Sequence, residues 1–326
     1  MEALRQFMRF LPSMVEGMIP SGTPLYAFGQ SYGGAYVVSL SHLYLSYREN
    51  DREKIKDIWL KGIGIGNGFI SPTDQSLYSE YVSNLGYVKE SEFNELKKYD
   101  DEVVKSLKTS NYVRALEYSH KSLNYFVSKL MRFTNIYDFT FDEVIYDKQS
   151  IEFQSHKCMI LPMNHKCLWF LILILLQNYL TNHEYVCFLQ QDNIRRSIHT
   201  GTRAFNRGQK SFIHLNNTIM ASKKHWLEET LERGGIEVLV YNGNLDVIVN
   251  VAGTNRVINS LQWSGKGEFV KSERKNYWVW NPESNRGELG NAGTNLFIYK
   301  SPNFYIIAFI MNVSHNYTVF IFSHII

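Results

Sequence analysis

Cysteine is scarce in this chain. Cys158, Cys167 and Cys187 are an odd number bunched in one stretch, so no more than a single local bridge can form and a disulfide scaffold is excluded. Redox compartment is left open by that count. Long apolar runs are also missing: the most apolar stretch, Cys167 to Leu176, is about half of the roughly 20 residues needed to cross a bilayer. No membrane span is expected. The N-terminus interleaves charge with apolar residues, as in Met1-Glu2-Ala3-Leu4-Arg5, and lacks the uninterrupted apolar core of a secretory signal. Charge of one sign is absent too, since 34 Lys plus Arg stand against 31 Asp plus Glu for a net +3, with both signs mixed. Such a surface has no basic stripe to release counterions, which excludes DNA and RNA as expected partners. No internal repeat, low-complexity linker or charge block divides the chain.

What is present is the balance of a globular protein, 44% hydrophobic and 20% charged over 326 residues. That length suits one large α/β domain carrying an insertion. Residues 3 to 17 have helical spacing. Pro24-Leu25-Tyr26-Ala27-Phe28-Gly29 is almost wholly apolar, the pattern of a strand buried on both faces. A tight turn follows, and from Ala35 to about Tyr47 the apolar positions recur with helical period. Trp59 to Gly66 reads as the next parallel strand, ending in Asn67-Gly68. Residues 73 to 135 repeat at helical spacing, 136 to 185 are poorly patterned, and 188 to 206 resume regular structure. Strands are expected again over 236 to 241, near 296 to 299 and over 304 to 311.

Gly29-Gln30-Ser31-Tyr32-Gly33 is a G-x-S-x-G sequence between a strand and a helix. Small glycines there let a serine sit in a strained turn with its hydroxyl projecting. The helix that follows brings its positive end toward the same point, so the Tyr32 N–H is placed to donate to an oxyanion. A serine nucleophile needs a base, and the base an orienting carboxylate, in the chain order Ser, Asp or Glu, His for this kind of sheet. Asp246 follows the strand at 236 to 241, and His315 follows the strand at 304 to 311. Both occupy the strand-end positions where such sheets place function.

These residues carry a resemblance. Gly29-Gln30-Ser31-Tyr32-Gly33-Gly34, Gly62-Ile63-Gly64-Ile65-Gly66-Asn67-Gly68 with Ser71-Pro72, the segment Ile194 to Gly201 with Phe205-Asn206, Val240 to Asp246, and Asn312-Val313-Ser314-His315 together resemble the serine carboxypeptidase family (peptidase S10), in particular its vitellogenic carboxypeptidase-like animal branch. The resemblance implies an α/β-hydrolase fold with a mostly parallel sheet. Its core is expected over 1–70 and 191–326, with a largely helical cap over 71–190. It implies removal of C-terminal residues from peptides or proteins, with Ser31 as nucleophile, His315 as base and Asp246 as orienter, no cofactor, and a secretory-pathway location. Position 30, usually Glu in the family, is Gln30 here and is expected to meet the substrate carboxylate. By the same comparison the chain starts after the family's first strands and its Gly-Gly-Pro-Gly oxyanion loop, and residues 151–183 and those beyond His315 diverge. A truncated or partly mis-spliced product is therefore one expectation. A silent binding homologue, or an esterase or acyltransferase on the same triad, are the other two readings.

Minor motifs have plain explanations. The alternating glycines at 62, 64, 66 and 68 lack the spacing of a phosphate loop and read as close strand packing. His156, Cys158, His165 and Cys167 do not fit the spacing of a standard zinc site, so no metal is expected. Asn216, Asn312 and Asn316 begin glycosylation sequons, which matter only to a secreted chain.

Overall fold

The computed structural model describes residues 1–15, 22–127, 136, 137, 139, 188–203 and 213–272, and the backbone of 275–276, 279–281, 286–288, 297–301 and 304–309. The chain divides into two compact units, Met1–Val144 with Asn216–Ile326, and Ile145–Leu215. In the second unit a short helix runs over Asp192–Ser197. The sheet and everything below belong to the first.

Its sheet has strand order β1-β2-β3-β8-β7-β4, where β1 is Pro24–Gln30, β2 Trp59–Gly66, β3 Glu237–Gly243, β4 Lys275–Asn276, β7 Phe297–Ser301 and β8 Phe304–Phe309. β1, β2, β3 and β8 are mutually parallel, and β7 and β4 continue antiparallel. A separate ribbon pairs β5 (Val279–Asn281) with β6 (Arg286–Glu288). Four parallel strands deliver their C-terminal ends to one edge. The registers Gln30 to Gly66 and Gly66 to Tyr241 align those ends across β1, β2 and β3.

Helix α1 (Glu2–Val15) buries Met8, with Leu4 and Leu11 one turn to either side packed on the same core, the spacing of an amphipathic stripe. Helix α2 (Gly33–Asn50) crosses from β1 to β2 and is buried on most sides, through Val37, Val38, Leu40, Leu43, Tyr44 and Leu45. Its polar residues are satisfied locally or across to a second helix, Lys224–Arg233: Ser39 Oγ donates to Ala35 O, and Ser41 Oγ shares a 2.9 Å bond with Thr230 Oγ1.

The glycines of β2 have a steric reason. A Cβ on Gly64 would lie 2.2 Å from Phe28 Cδ1, one on Gly62 2.9 Å from Tyr26 Cδ1, and one on Gly66 2.4 Å from Tyr241 Cζ. Rings from the two neighbouring strands therefore lie on the bare track of β2, which is the close packing expected from the sequence. One expectation is corrected here: β1 is not buried on both faces. Leu25 and Ala27 pack on the core from one face, whereas Tyr26 and Phe28, on the other, keep 47% and 53% of their surface exposed.

The helical segment expected after β2 is seen as α3 (Pro72–Gln75), α4 (Tyr78–Asn84), α5 (Glu90–Lys108) and α6 (Tyr112–Tyr125). α5 opens with Lys89 N–H donating to the Glu92 carboxylate, and α6 with Asn111 Oδ1 accepting from Arg114 N–H, so each start has a side-chain cap. Tyr81, Val82, Leu96 and Phe126 form one small core with Val247. Val103, Ala115 and Leu116 form another with Met220.

Candidate active site

Ser31 stands at the joint between β1 and α2 with φ +56°, the left-handed region that a non-glycine residue enters only at a steric cost. Its surroundings impose that conformation. A Cβ on Gly29 would meet Gly33 O at 2.0 Å, and one on Gly34 would meet Gly68 Cα at 2.8 Å, so both positions must be bare for strand, turn and helix to close on one another. Three backbone bonds pin the turn: Ser31 N–H to Gly66 O at 3.0 Å, Phe69 N–H to Ser31 O at 2.9 Å, and Gly34 N–H to Ser31 O at 3.0 Å. Ser31 is exposed. Tyr32 occupies the N-cap of α2, at the positive end of that helix dipole. Its ring is fixed edge-on against Tyr36, centroids 5.3 Å apart, and burial holds its phenol above the usual tyrosine range despite a hydrogen bond with Thr218. Gln30 is the exposed last residue of β1.

Asp246 lies on the loop after β3 and is 7% exposed. Its Oδ2 accepts from Asn67 Nδ2 at 2.6 Å and its Oδ1 from Val249 N–H at 3.2 Å. Burial pushes its carboxyl up to about 6, against the pull of these bonds and one from the Ile248 backbone. Asn67, the first residue past β2, also has positive φ, +40°; its N–H donates to Tyr241 O, and its Oδ1 accepts from Gly243 N–H. One side chain thus joins the ends of β2 and β3 to the acid. Asn242 and Asn250 brace the loop further, through Asn242 Nδ2 to Val249 O and Asn250 Oδ1 accepting from Gly253 N–H. Behind the serine turn, fully buried Gln75 accepts from Ile70 and Ser71 N–H and donates to Gly68 O, fixing the loop that holds Phe69 against Ser31.

Ser31 and Asp246 accordingly open on the same sheet edge, with Asn67 between their strands. β8 ends at that edge as well, and His315 follows it in sequence but lies outside the described residues. So do Cys158, Cys167, Cys187, His156, His165, Asn312 and Asn316. Asn216 is described and partly buried. Sequence reasoning missed Asn67, Gln75 and the bracing asparagines. Asn67 was noted as part of an Asn-Gly pair after a strand, which reads as a turn, and inside a segment carrying the family resemblance, but neither assigned its side chain a role. Among the described residues no cluster of three or more His, Cys, Asp or Glu could hold a metal ion, and no helix is long and apolar enough to cross a membrane.

The family model for serine carboxypeptidase matches residues 1–296. The chain belongs to the serine carboxypeptidase family. Among its relatives, the probable serine carboxypeptidase CPVL of Pongo abelii is 28% identical over 86% of this chain and 52% of its own length. The venom serine carboxypeptidase of Apis mellifera is 26% identical over 86% and 52%, and the vitellogenic carboxypeptidase of Aedes aegypti 23% over 86% and 51%. The chain therefore spans about half the length of the curated relatives it matches. The crystal structure of Kex1(delta)p, a prohormone-processing carboxypeptidase from Saccharomyces cerevisiae, superposes with a TM-score of 0.67 at 18% identity, covering 94% of this chain and 62% of that one. The fold is that of the serine carboxypeptidases, an α/β hydrolase.

Proposed function

We propose that this chain carries the nucleophile, acid and base of a serine-type carboxypeptidase acting on peptide or protein C-termini. The observation that supports it most is the conformation of Ser31: a left-handed serine at a strand-to-helix joint, sharing a sheet edge with a buried, hydrogen-bonded aspartate. In this reading Ser31 Oγ attacks the carbonyl carbon of the last peptide bond while His315 takes the hydroxyl proton. Asp246 orients the imidazole and balances its charge. The Tyr32 N–H donates to the oxyanion, and collapse of the tetrahedral intermediate breaks the C–N bond as His315 returns the proton to the leaving amine. Water then repeats the sequence to free the acyl group. Gln30, next to the nucleophile and exposed, hydrogen-bonds the substrate carboxylate. Residues 71–190 are an insertion within the core sequence of the hydrolase, and the chain works in the secretory pathway, a location that the venom relative's name supports.

The test is labelling with a fluorophosphonate, followed by release of the C-terminal residue from an N-blocked dipeptide. Wild type should label and hydrolyse, and Ser31→Ala and His315→Ala should do neither. Labelling of wild type no better than Ser31→Ala would reject an activated serine and favour a silent homologue. Turnover of small esters without any turnover of free-C-terminal peptides would favour the esterase reading.

A further inference from the structure

The loop that carries Asp246 is gripped from one side by α4. Tyr81 Oη donates to Asn244 O at 3.2 Å, two residues before the aspartate, and Tyr78 Oη donates to Ile248 O at 3.1 Å, two residues after it. The hydroxyls are one helical turn apart, so a rigid helix spaces them to match the two ends of the loop. Both side chains are buried, at 7% and 4% exposure. The helix itself is anchored. Asp100 on α5, also buried, accepts from Ser79 N–H at 2.8 Å and from Ser122 Oγ on α6 at 3.0 Å, tying three helices together beside Tyr78.

We propose that Tyr78 and Tyr81 are positioning residues for Asp246, holding residues 244–248 so that its carboxylate stays sealed against Asn67 and the Val249 N–H. The catalytic consequence rests on the reading of Asp246 as the triad acid; the positioning does not. Asn244 and Ile248 are only partly buried, so a carbonyl there that loses its tyrosine donor turns toward water, and the short loop between them loosens with it. Loosening the loop admits water to the carboxyl, whose raised affinity for a proton comes first from burial. The ionisable groups that face Asp246 among the described residues are Tyr78 and Tyr81, with Asp100 behind Tyr78. Neither tyrosine ionises in the range where Asp246 titrates, since both are held above the usual tyrosine range.

The experiment uses the whole chain with aspartate labelled by carbon-13 at the side-chain carboxyl, the Asp246 signal being assigned by its loss in Asp246→Asn. Tyr78→Phe and Tyr81→Phe are compared with Tyr44→Phe, which removes a buried hydroxyl-to-carbonyl bond, to Ile58 O, on α2. In the first two the Asp246 midpoint should fall by about half a pH unit or more from the wild-type value, toward that of an ordinary carboxylate. In Tyr44→Phe it should stay. A wild-type midpoint in both α4 variants, or an equal fall in Tyr44→Phe, would overturn the proposal. Fluorophosphonate labelling is measured alongside. A loss of about tenfold or more in rate in the α4 variants supports positioning for catalysis. A midpoint that moves while labelling holds keeps the positioning and rejects Asp246 as the triad acid.

Discussion

Asn67 and Asp246 are 179 residues apart in sequence and meet at 2.6 Å, amide to carboxylate, at the end of two adjacent strands. The amide is used twice, since its oxygen accepts from Gly243 N–H at the start of the loop that leads to the aspartate. The left-handed backbone of Asn67 turns its side chain back over β3, a conformation that asparagine tolerates better than other non-glycine residues. Backbone strain at Ser31 and at Asn67 thus sits on neighbouring strand ends, and each strained residue faces the edge where the chemistry is proposed.

Asn67→Ala should cost stability on the order of 1–3 kcal/mol, because a buried carboxylate oxygen and the Gly243 N–H each lose a partner. Asn67→Asp is the sharper variant. It places two carboxyls in contact, which cannot both ionise, so the pair should retain a proton to higher pH than Asp246 alone. Urea denaturation should find Asn67→Asp close to wild type in acid and increasingly weaker as pH rises through neutrality. A pH-independent loss would show that the two side chains do not share an environment.

The glycine track of β2 predicts a coupling. Gly64→Ala pushes a methyl into the Phe28 ring, and because that ring is half exposed it can swing outward, so the cost should be about 1–2 kcal/mol. In a Phe28→Ala background the same change should cost little, a non-additivity read from a double-mutant cycle of denaturation midpoints. Gly29→Ala has no such escape. Its clash is with the backbone oxygen of Gly33, so the turn itself must open, and fluorophosphonate labelling should disappear even under conditions where the chain stays folded. Additivity of Gly64→Ala and Phe28→Ala would remove the steric account of the glycines.

The strand, turn and helix around Ser31 were legible because each signal is local: an apolar run, glycines at the turn, then helical period. The helices from 72 to 125 were legible for the same reason. The exposed face of β1 was not, since Leu25-Tyr26-Ala27-Phe28 looks identical whether its second face is covered or open. Asn67 was hidden because its partners arrive from β3, far along the chain, and nothing in an Asn-Gly pair announces them. Tyr78 and Tyr81 were not singled out, because the carbonyl that a tyrosine hydroxyl reaches far along the chain leaves no pattern in sequence. Asp246 was found through chain order and its place after a strand, while the burial that sets its proton affinity became visible only with the loop around it.

Gln30 carries a prediction about substrate binding. If it meets the substrate carboxylate as proposed, its amide donates a hydrogen bond at every pH and never repels the ligand. Gln30→Glu would bring a group that holds the carboxylate only while it keeps a proton. The pH profile of kcat/KM on one peptide should therefore fall earlier on the alkaline side for Gln30→Glu than for the natural sequence. The ascending limb, which the proposed triad assigns to its base, should coincide in the two. Superimposable profiles would show that residue 30 does not touch the carboxylate.

The proton affinity of Asp246 also governs stability. Its folded-state value, near 6, lies above the value near 4 of an aspartate in an unfolded chain. Between those two values the folded protein holds a proton that the unfolded chain has released, so stability falls as pH rises across that window and is greatest below it. A gap of about two units corresponds to roughly 3 kcal/mol at full effect, an upper figure given that Asn67 and the loop amides relax around the charge. Asp100 has the same sense, since burial holds its carboxyl above the ordinary range despite bonds from Ser79 and Ser122. Thermal and urea unfolding between pH 4 and 7 should therefore show this chain more stable in mild acid. Asp246→Asn, which cannot titrate, should flatten most of that slope, and Asp100→Asn part of the remainder. A wild-type stability that rises steadily from pH 4 to 7 would mean that Asp246 is ionised throughout the window, and with it that the loop leaves its carboxylate open to water.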